Sequence, residues 1–214
     1  MGAVRITEIF HSIQGEANTV GWPTTFVRLT GCPLRCQYCD TAYAFTGGEM
    51  RSLDEVVTEV RRFAARHVTV TGGEPLAQPD VLPLLTMLCD ADFEVGLETS
   101  GALDVSAVDE RVSRVVDFKT PGSGEVHRNL FANVTHLGAH DQVKFVICDE
   151  ADYEWAKFKC DEYRLYGRVA NVLFAPSTSE LPAGELADWI LRDGLNVRLQ
   201  VQMHKVLWGD VPGR

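Results

Sequence analysis

Short apolar runs alternate along the chain with amphipathic segments of helical periodicity. The runs are rich in β-branched and aromatic residues, and most of them are continuous, as in residues 67–71 and 144–147. Continuous apolar strands are typical of a parallel sheet that is covered on both faces. Seven strands are predicted, at residues 24–30, 67–71, 94–99, 114–119, 142–148, 171–175 and 197–202.

The amphipathic segments predict four helices between these strands. The first is the clearest, because Ser52 and Glu55 have the spacing of a capping box and the apolar residues that follow lie on one helical face. Gly194 predicts the end of the last helix. The four helices are predicted at residues 52–66, 80–91, 150–164 and 184–193.

Alternation of strands and helices predicts right-handed crossovers and a parallel sheet. Six or seven such units are too few for a closed eight-stranded barrel. We therefore predict an α/β fold, an open partial (β/α) barrel of about six parallel strands, in a single domain over residues 1–214. The first 23 residues predict a short hairpin or lead-in.

Composition narrows the class of protein. The chain has 214 residues, of which 45% are hydrophobic and 23% charged, as in an ordinary globular protein. No apolar stretch is long enough to span a bilayer, and residues 1–8 lack the hydrophobic region of a signal peptide, so a cytoplasmic location is expected. A net charge of −10 without a basic run argues against a nucleic-acid partner such as a duplex or tRNA.

The candidate chemistry begins with three cysteines directly after the first predicted strand. Cys32, Cys36 and Cys39 have the spacing Cys-x3-Cys-x2-Cys. Three thiolates on one loop can hold three corners of a cubane iron–sulfur cluster and leave the fourth iron open to a small molecule. A zinc site is the main alternative, and would need a fourth ligand such as His11 or Asp40. Redox-active thiols are a third interpretation.

A glycine-rich turn follows the second predicted strand, as Gly72-Gly73-Glu74-Pro75. Glycines let a backbone approach a ligand closely, and the proline ends the strand. With this turn, the cysteine spacing and an aromatic residue, Tyr38, before the third cysteine, the sequence resembles the radical S-adenosylmethionine (SAM) superfamily. The resemblance implies a [4Fe-4S] cluster whose open iron is chelated by SAM.

Further segments, in chain order, resemble one family of this superfamily, the 7-carboxy-7-deazaguanine synthases. They are residues 8–16, 21–23, 26–32, 39–41, 97–101, 116–121 and 202–205. The resemblance implies conversion of 6-carboxy-5,6,7,8-tetrahydropterin to 7-carboxy-7-deazaguanine with loss of ammonia, through a 5′-deoxyadenosyl radical that takes the hydrogen from C6. It also implies a homodimer and a flavodoxin or ferredoxin as the electron donor.

The resemblance assigns expected roles to residues of this chain. The three cysteines would hold the cluster, the Thr41 hydroxyl would approach Mg²⁺, and Glu98 would either handle a proton or bind the pterin. Substrate binding falls to Ile13, Gln14, Gly15, Glu16, Arg28, Thr71 and His204. SAM binding falls to Gln37, Tyr38, Gly73, Thr99, Ser100, Asp117, Lys119, Ala175, Pro176, Ser177 and Thr178.

Alternatives remain for both residues and function. The Arg28 guanidinium can clamp the substrate carboxylate or form a structural salt bridge with Glu16 or Glu98. His204 and Lys205 match a pair near the family's C-terminus, where a terminal group closes the pocket, but this chain continues to residue 214. The competing functions are a glycyl-radical enzyme activase of the same superfamily and a zinc-binding interaction module.

Overall fold

The computed structural model describes residues 2–209, 211 and 213. Nine strands form one sheet in the order β3-β1-β2-β4-β5-β6-β7-β8-β9. The strands are β1 (Ala3–Ile13), β2 (Pro23–Leu29), β3 (Glu49–Ser52), β4 (His67–Gly72), β5 (Glu94–Thr99), β6 (Ser113–Asp117), β7 (Gln142–Ile147), β8 (Asn171–Pro176) and β9 (Arg198–Leu199). The α-helices are α1 (Leu53–Val60), α2 (Val81–Asp90), α3 (Glu150–Glu162), α4 (Ala183–Asp193) and α5 (Met203–Trp208).

The predicted parallel sheet is confirmed. Every neighbouring pair from β2 through β4 to β9 is parallel, and within the described residues β3 and β9 remain open edges, so the barrel is partial. The N-terminal lead-in is itself a strand of 11 residues, β1, which pairs antiparallel with both β2 and β3. The sequence prediction did not include β3 or α5, because both are short and lack a periodic pattern.

Local capping signals determine the helix ends. Ser52 and Glu55 form the predicted capping box at the start of α1. Gly194 ends α4 with a φ of 59°, in the left-handed region that glycine favours. The first helix is shorter than predicted, because the chain turns after Val60 and Phe63 stacks on the His11 ring instead of extending the apolar stripe. Within the described residues, no helix combines the length and apolar character needed to cross a membrane.

The main core lies between the outer face of the sheet and helices α1 to α4. Side chains alternate between the two faces of a strand, so every second residue packs into this core and the residues between them face the inside of the barrel. Core-facing residues include Val27, Val70, Leu97, Val116 and Val143. Their strand neighbours on the inner face are Arg28, Thr71, Glu98, Asp117 and Lys144.

Candidate active site

The inner face of the partial barrel surrounds a cavity of about 670 Å³, which is large enough for a cofactor or a small substrate. Its wall contains every site residue expected from the sequence except Gly15. Gly15 lies directly beneath α5, because its carbonyl accepts a hydrogen bond of 3.1 Å from the Met203 amide. A Cβ atom at this position would overlap the His204 ring. Gly15 therefore shapes the cavity indirectly, through the position of α5.

The cysteine loop forms one end of the cavity, and hydrogen bonds to the backbone hold it in place. The Arg35 guanidinium donates to the carbonyl oxygens of Cys32 at 2.8 Å and Leu34 at 2.6 Å. The backbone N–H of Gln37 donates to the Ser123 carbonyl at 3.2 Å, and the Gln37 side-chain amide donates to the Gly122 carbonyl. This role of Arg35 was not predicted from the sequence.

The three thiols lie together at this end of the cavity. Cys32, Cys36 and Cys39 are partly exposed and all face the cavity. A cubane cluster binds each thiolate to a different iron, and three thiols on one loop suit such a cluster. Among the described residues, no group of three or more Cys, His, Asp or Glu side chains is arranged to hold a single metal ion.

Burial works against the charged form of two of these thiols. It raises the pKa of Cys36 to about 11 and also raises the pKa of Cys32. A positively charged iron centre would compensate, since metal coordination deprotonates a thiol.

The glycine-rich turn after β4 packs against the start of the cysteine loop. The Gly73 amide donates to the Leu29 carbonyl at 3.1 Å, and the Glu74 amide donates to the Gly31 carbonyl at 2.8 Å. A Cβ atom on Gly73 would overlap the Gly31 carbonyl and lie 2.9 Å from Cys32 Cβ. This glycine is therefore required by a contact inside the protein, in addition to any approach to a ligand.

The Glu74 side chain is fully buried and connects this turn to the end of β5. Its carboxylate accepts hydrogen bonds from the Thr99 hydroxyl at 2.8 Å, the Ser100 amide at 2.7 Å and the Leu76 amide at 3.0 Å, and also from the Ser100 hydroxyl. The hydroxyls of Thr99 and Ser100, which were expected to bind SAM, thus have a partner within the protein. This role of Glu74 was not predicted from the sequence.

Three buried polar atoms on the cavity wall have no hydrogen-bond partner among the described residues. They are Tyr38 Oη, Asp117 Oδ1 and Ser177 Oγ. Burial together with the Asp117 charge raises the pKa of Tyr38, so its hydroxyl remains a donor. Buried polar groups normally have partners, and a bound molecule with hydroxyl and amino groups would supply them.

A second set of polar groups lies further along the same cavity. The Lys144 ammonium donates to the Glu16 carboxylate. The Glu98 carboxylate accepts hydrogen bonds from the Gln14 amide at 3.3 Å and the Thr71 hydroxyl at 3.1 Å. Burial and the nearby Glu16 charge raise the pKa of Glu98. Burial also opposes ionisation of Glu16, but the Lys144 charge outweighs it and lowers the pKa of Glu16.

Arg28 forms a salt bridge, but its partner differs from the two expected candidates. Arg28 Nε lies 2.7 Å from Glu8 Oε1, and the same oxygen accepts a hydrogen bond of 2.8 Å from the Tyr43 hydroxyl. Glu8 lies directly opposite Arg28 in the antiparallel pairing of β1 and β2. The expected partners, Glu16 and Glu98, bind other side chains. Recognition of the β1–β2 hairpin register would have identified Glu8.

The C-terminal segment covers the cavity and is attached to the cysteine loop by Asp40. One Asp40 oxygen accepts a hydrogen bond from the Thr41 hydroxyl at 2.9 Å. The other accepts from the Gln202 amide at 3.0 Å and pairs with the Lys205 ammonium at 3.2 Å. Partial burial lowers the pKa of His204, a residue of α5, and favours its neutral form. Three residues of the tail in which a closing group was expected, at positions 210, 212 and 214, lie outside the described residues.

Known proteins resemble this chain in both sequence and fold. The family model of the radical SAM superfamily matches residues 26–121. Proteins named 7-carboxy-7-deazaguanine synthase are 44% identical in Chlorobaculum tepidum and 40% identical in Koribacter versatilis. The first alignment covers 96% of this chain and 94% of the relative, and the second covers 96% and 97%.

Solved structures show the same fold. The structure of QueE from Escherichia coli matches with a TM-score of 0.76 and 24% identity over 94% of each chain. The structure of Streptococcus suis SuiB bound to the precursor peptide SuiA matches with a TM-score of 0.60 and 15% identity, over 80% of this chain and 46% of SuiB. Because sequence identity to the curated relatives extends over nearly the whole chain, the protein belongs to the 7-carboxy-7-deazaguanine synthase family of radical SAM enzymes.

Proposed function

We propose that this protein, acting as a single domain, converts 6-carboxy-5,6,7,8-tetrahydropterin to 7-carboxy-7-deazaguanine and ammonia. One observation supports the proposal: the cavity that contains the three cysteines is also lined by three further charged side chains, Glu16, Glu98 and Lys144. A site for SAM alone does not require this second group. A zinc-binding module would use the cysteines, but it would require neither a SAM site nor the charged side chains.

The residues at the cysteine end would bind and orient the cofactors. Membership of the radical SAM superfamily implies a [4Fe-4S] cluster and SAM, which together supply the 5′-deoxyadenosyl radical. Cys32, Cys36 and Cys39 would hold the cluster. The partnerless atoms of Tyr38 and Asp117 would contact SAM, and the remaining expected contacts are the wall residues around Lys119 and the turn after β8.

The residues further along the cavity would bind the pterin. Arg28 carries the positive charge that a substrate carboxylate needs, and its ion pair with Glu8 holds the guanidinium in the cavity wall. Gln14 offers both donor and acceptor groups to the ring. The raised pKa of Glu98 favours its protonated form, in which it can give a proton to the departing amino group.

The Mg²⁺ ion expected from the family would bind at Thr41. Thr41 lies in the cavity wall, and its hydroxyl donates to Asp40, which leaves its oxygen lone pairs available to a cation. Magnesium prefers oxygen ligands and retains several waters, so one hydroxyl and a substrate carboxylate form a reasonable set. Asp40 adds a negative charge next to this position.

Two exposed parts of the surface would bind protein partners. A flavodoxin or ferredoxin would deliver the electron at the cysteine loop, where Pro33 and Arg35 are exposed. A second copy of the chain would form a homodimer, for which the exposed apolar side chains of Val206 (76%) and Leu207 (52%) offer contact area. All six cysteines are unpaired, which fits a cytoplasmic, reducing compartment.

An anaerobic turnover experiment tests the proposal. Purified protein should bind about four irons per chain, as a cubane requires. When reduced and mixed with SAM, Mg²⁺ and 6-carboxytetrahydropterin, it should release 7-carboxy-7-deazaguanine, detected by mass spectrometry. Cys36→Ala should lose iron and product, whereas Cys89→Ala, at a cysteine of α2 outside the cavity, should retain both. Stoichiometric zinc without iron would refute the cluster, and an intact cluster without product would refute the substrate.

A further inference from the structure

The Lys144 side chain presents a buried positive charge to the cavity. Val143 and Phe145 on either side of it pack into the main core, so strand alternation points Lys144 inward. Its side chain is 13% exposed, and that of its ion-pair partner Glu16 is 11% exposed. The pair connects β7 to the turn after β1 across 128 positions of sequence.

Stability alone is a weak reason for such a pair. Removing two charges from water costs free energy that their mutual attraction only partly offsets, and a well-packed apolar pair is often equally stable. The Glu16–Lys144 pair also lies in the wall of the cavity rather than in the core. A ligand in the cavity can therefore contact both members of the pair.

The chemistry of the pair matches one edge of a pterin. A carboxylate accepts two hydrogen bonds side by side, and an ammonium group donates up to three. The 2-amino-4-oxo edge of a pterin presents the complementary set, with N–H donors at the 2-amino group and N3 and an acceptor at O4. Glu16 can accept from the two donors while Lys144 donates to O4. A 4-amino group in place of O4 would meet the ammonium with a second donor.

The positions of the surrounding charges agree with this orientation. Arg28, Glu16 and Lys144 all line the same cavity, and Glu98 lies in the wall with them. In a 6-carboxypterin, the carboxylate and the 2-amino-4-oxo edge lie at opposite ends of the fused rings. A ring with its carboxylate at Arg28 can therefore place its other edge at Glu16 and Lys144.

We propose that Lys144 determines substrate specificity by donating a hydrogen bond to O4, and that the Glu16–Lys144 pair selects 2-amino-4-oxo pterins. This inference rests on the proposed function and deepens it. The Glu16–Lys144 pair was not predicted from the sequence, in which Lys144 was noted only as part of the strand at residues 142–148.

Two stable, fluorescent ligands provide the test. Dissociation constants for pterin-6-carboxylate and 2,4-diaminopteridine-6-carboxylate are measured with anaerobic, cluster-loaded protein in the presence of SAM. The second ligand replaces O4 with an amino group, and its N3 carries no hydrogen. The unmodified protein should prefer the 4-oxo ligand by roughly 10- to 100-fold, because the 4-amino ligand leaves a buried donor unpaired. In Lys144→Gln the preference should fall several-fold, since an amide can donate to O4 or accept from the 4-amino group, while Glu16 still favours the N3 hydrogen of the 4-oxo ligand.

Matched variants separate recognition from structure. Lys144→Arg keeps a cationic donor and should restore most of the preference. Lys157→Gln removes another paired lysine, bound to Asp193 away from the cavity, and should leave the preference unchanged. Iron content and SAM affinity should be unchanged in all three variants, which a general loss of structure would not allow.

Two outcomes would overturn the inference. One is an unmodified protein that binds both ligands equally well, a result that needs no variant and holds even if Lys144→Gln does not fold. The other is a Lys144→Gln protein that keeps the full preference for the 4-oxo ligand. A protein that binds neither ligand and releases no 7-carboxy-7-deazaguanine would instead refute the proposed function.

Discussion

Glu74 and Thr99 fasten the ends of two neighbouring strands together inside the protein. The Thr99 hydroxyl at the end of β5 donates to the Glu74 carboxylate, 2.8 Å away in the turn after β4. The same carboxylate accepts hydrogen bonds from Ser100 and Leu76. Since this turn also packs on the start of the cysteine loop, Glu74 connects the cluster loop to the cofactor wall.

Replacement of this carboxylate should destabilise the protein strongly. Glu74→Ala leaves buried donors on Thr99, Ser100 and Leu76 unpaired, which costs about 2–4 kcal/mol. For a chain of this length, the midpoint of anaerobic thermal unfolding should fall by roughly 5–15 °C. Glu162→Ala, which removes a half-exposed partner of Lys159, should change the midpoint by less than about 2 °C. Equal midpoints for the two variants would contradict this role of Glu74.

Arg28→Ala should weaken pterin binding and leave SAM binding nearly unchanged. Loss of hydrogen bonds to a charged group is worth about 1.5–3 kcal/mol, so the dissociation constant for pterin-6-carboxylate should rise roughly 10- to 100-fold. The measurement is fluorescence titration with the ligand, alongside equilibrium dialysis with SAM. Glu8→Gln keeps the Arg28 charge but removes its ion-pair partner, so its effect should stay below about tenfold. If Arg28→Ala loses affinity for pterin-6-carboxylate and for SAM to the same extent, the role of Arg28 is structural.

Asp40→Ala should loosen α5 over the cavity. None of the side chains of α5 is buried, so its contacts to Asp40 through Gln202 and Lys205 contribute much of its attachment. Hydrogen exchange of amides 203–208 should accelerate by roughly tenfold, because segments with little apolar burial open locally. Exchange in α2 serves as the internal control, and Asp54→Ala, on the exposed side of α1, as the matched variant. Unchanged exchange in α5 would show that other contacts hold the helix.

Glu98 should make the stability of the protein decrease as the pH rises. Burial and the Glu16 charge raise its pKa above the ordinary 4.5, so the folded state keeps a proton that the unfolded chain releases. Where the folded state binds more protons, the free energy of unfolding falls with increasing pH, from about 4.5 up through the raised pKa. Glu98→Gln lacks this effect, so its unfolding midpoint relative to the unmodified protein should increase between pH 5 and pH 8.

The matched variant for this comparison is Glu185→Gln, in the first turn of α4, where the carboxylate is exposed. Its midpoint relative to the unmodified protein should not increase over the same pH range. A Glu98→Gln difference that stays constant with pH would contradict the raised pKa. Glu98→Gln should also lose turnover if the carboxyl supplies a proton, because an amide does not.

Much of the fold was predictable because its signals are local. The strands β2 and β4 to β8 overlap the predicted apolar runs, whereas β9 covers only two residues of the predicted strand 197–202. The capping box at Ser52 and the glycine at position 194 mark helix ends within a few residues. These signals depend on neighbouring side chains and on backbone geometry. The short elements β3 and α5 carry too few residues for a periodic pattern, so only long-range pairing identifies them.

Three thiols in one loop and a glycine-rich turn at a strand end are local signals, so short segments of sequence indicate the cofactor chemistry. Which charges meet depends on the fold. Glu8 pairs with Arg28 through the antiparallel register of β1 and β2, and Lys144 reaches Glu16 across 128 positions of sequence. Charge pairing depends on distance and burial. The first pair forms only when the hairpin adopts this register, and the second only when the sheet curves around the cavity.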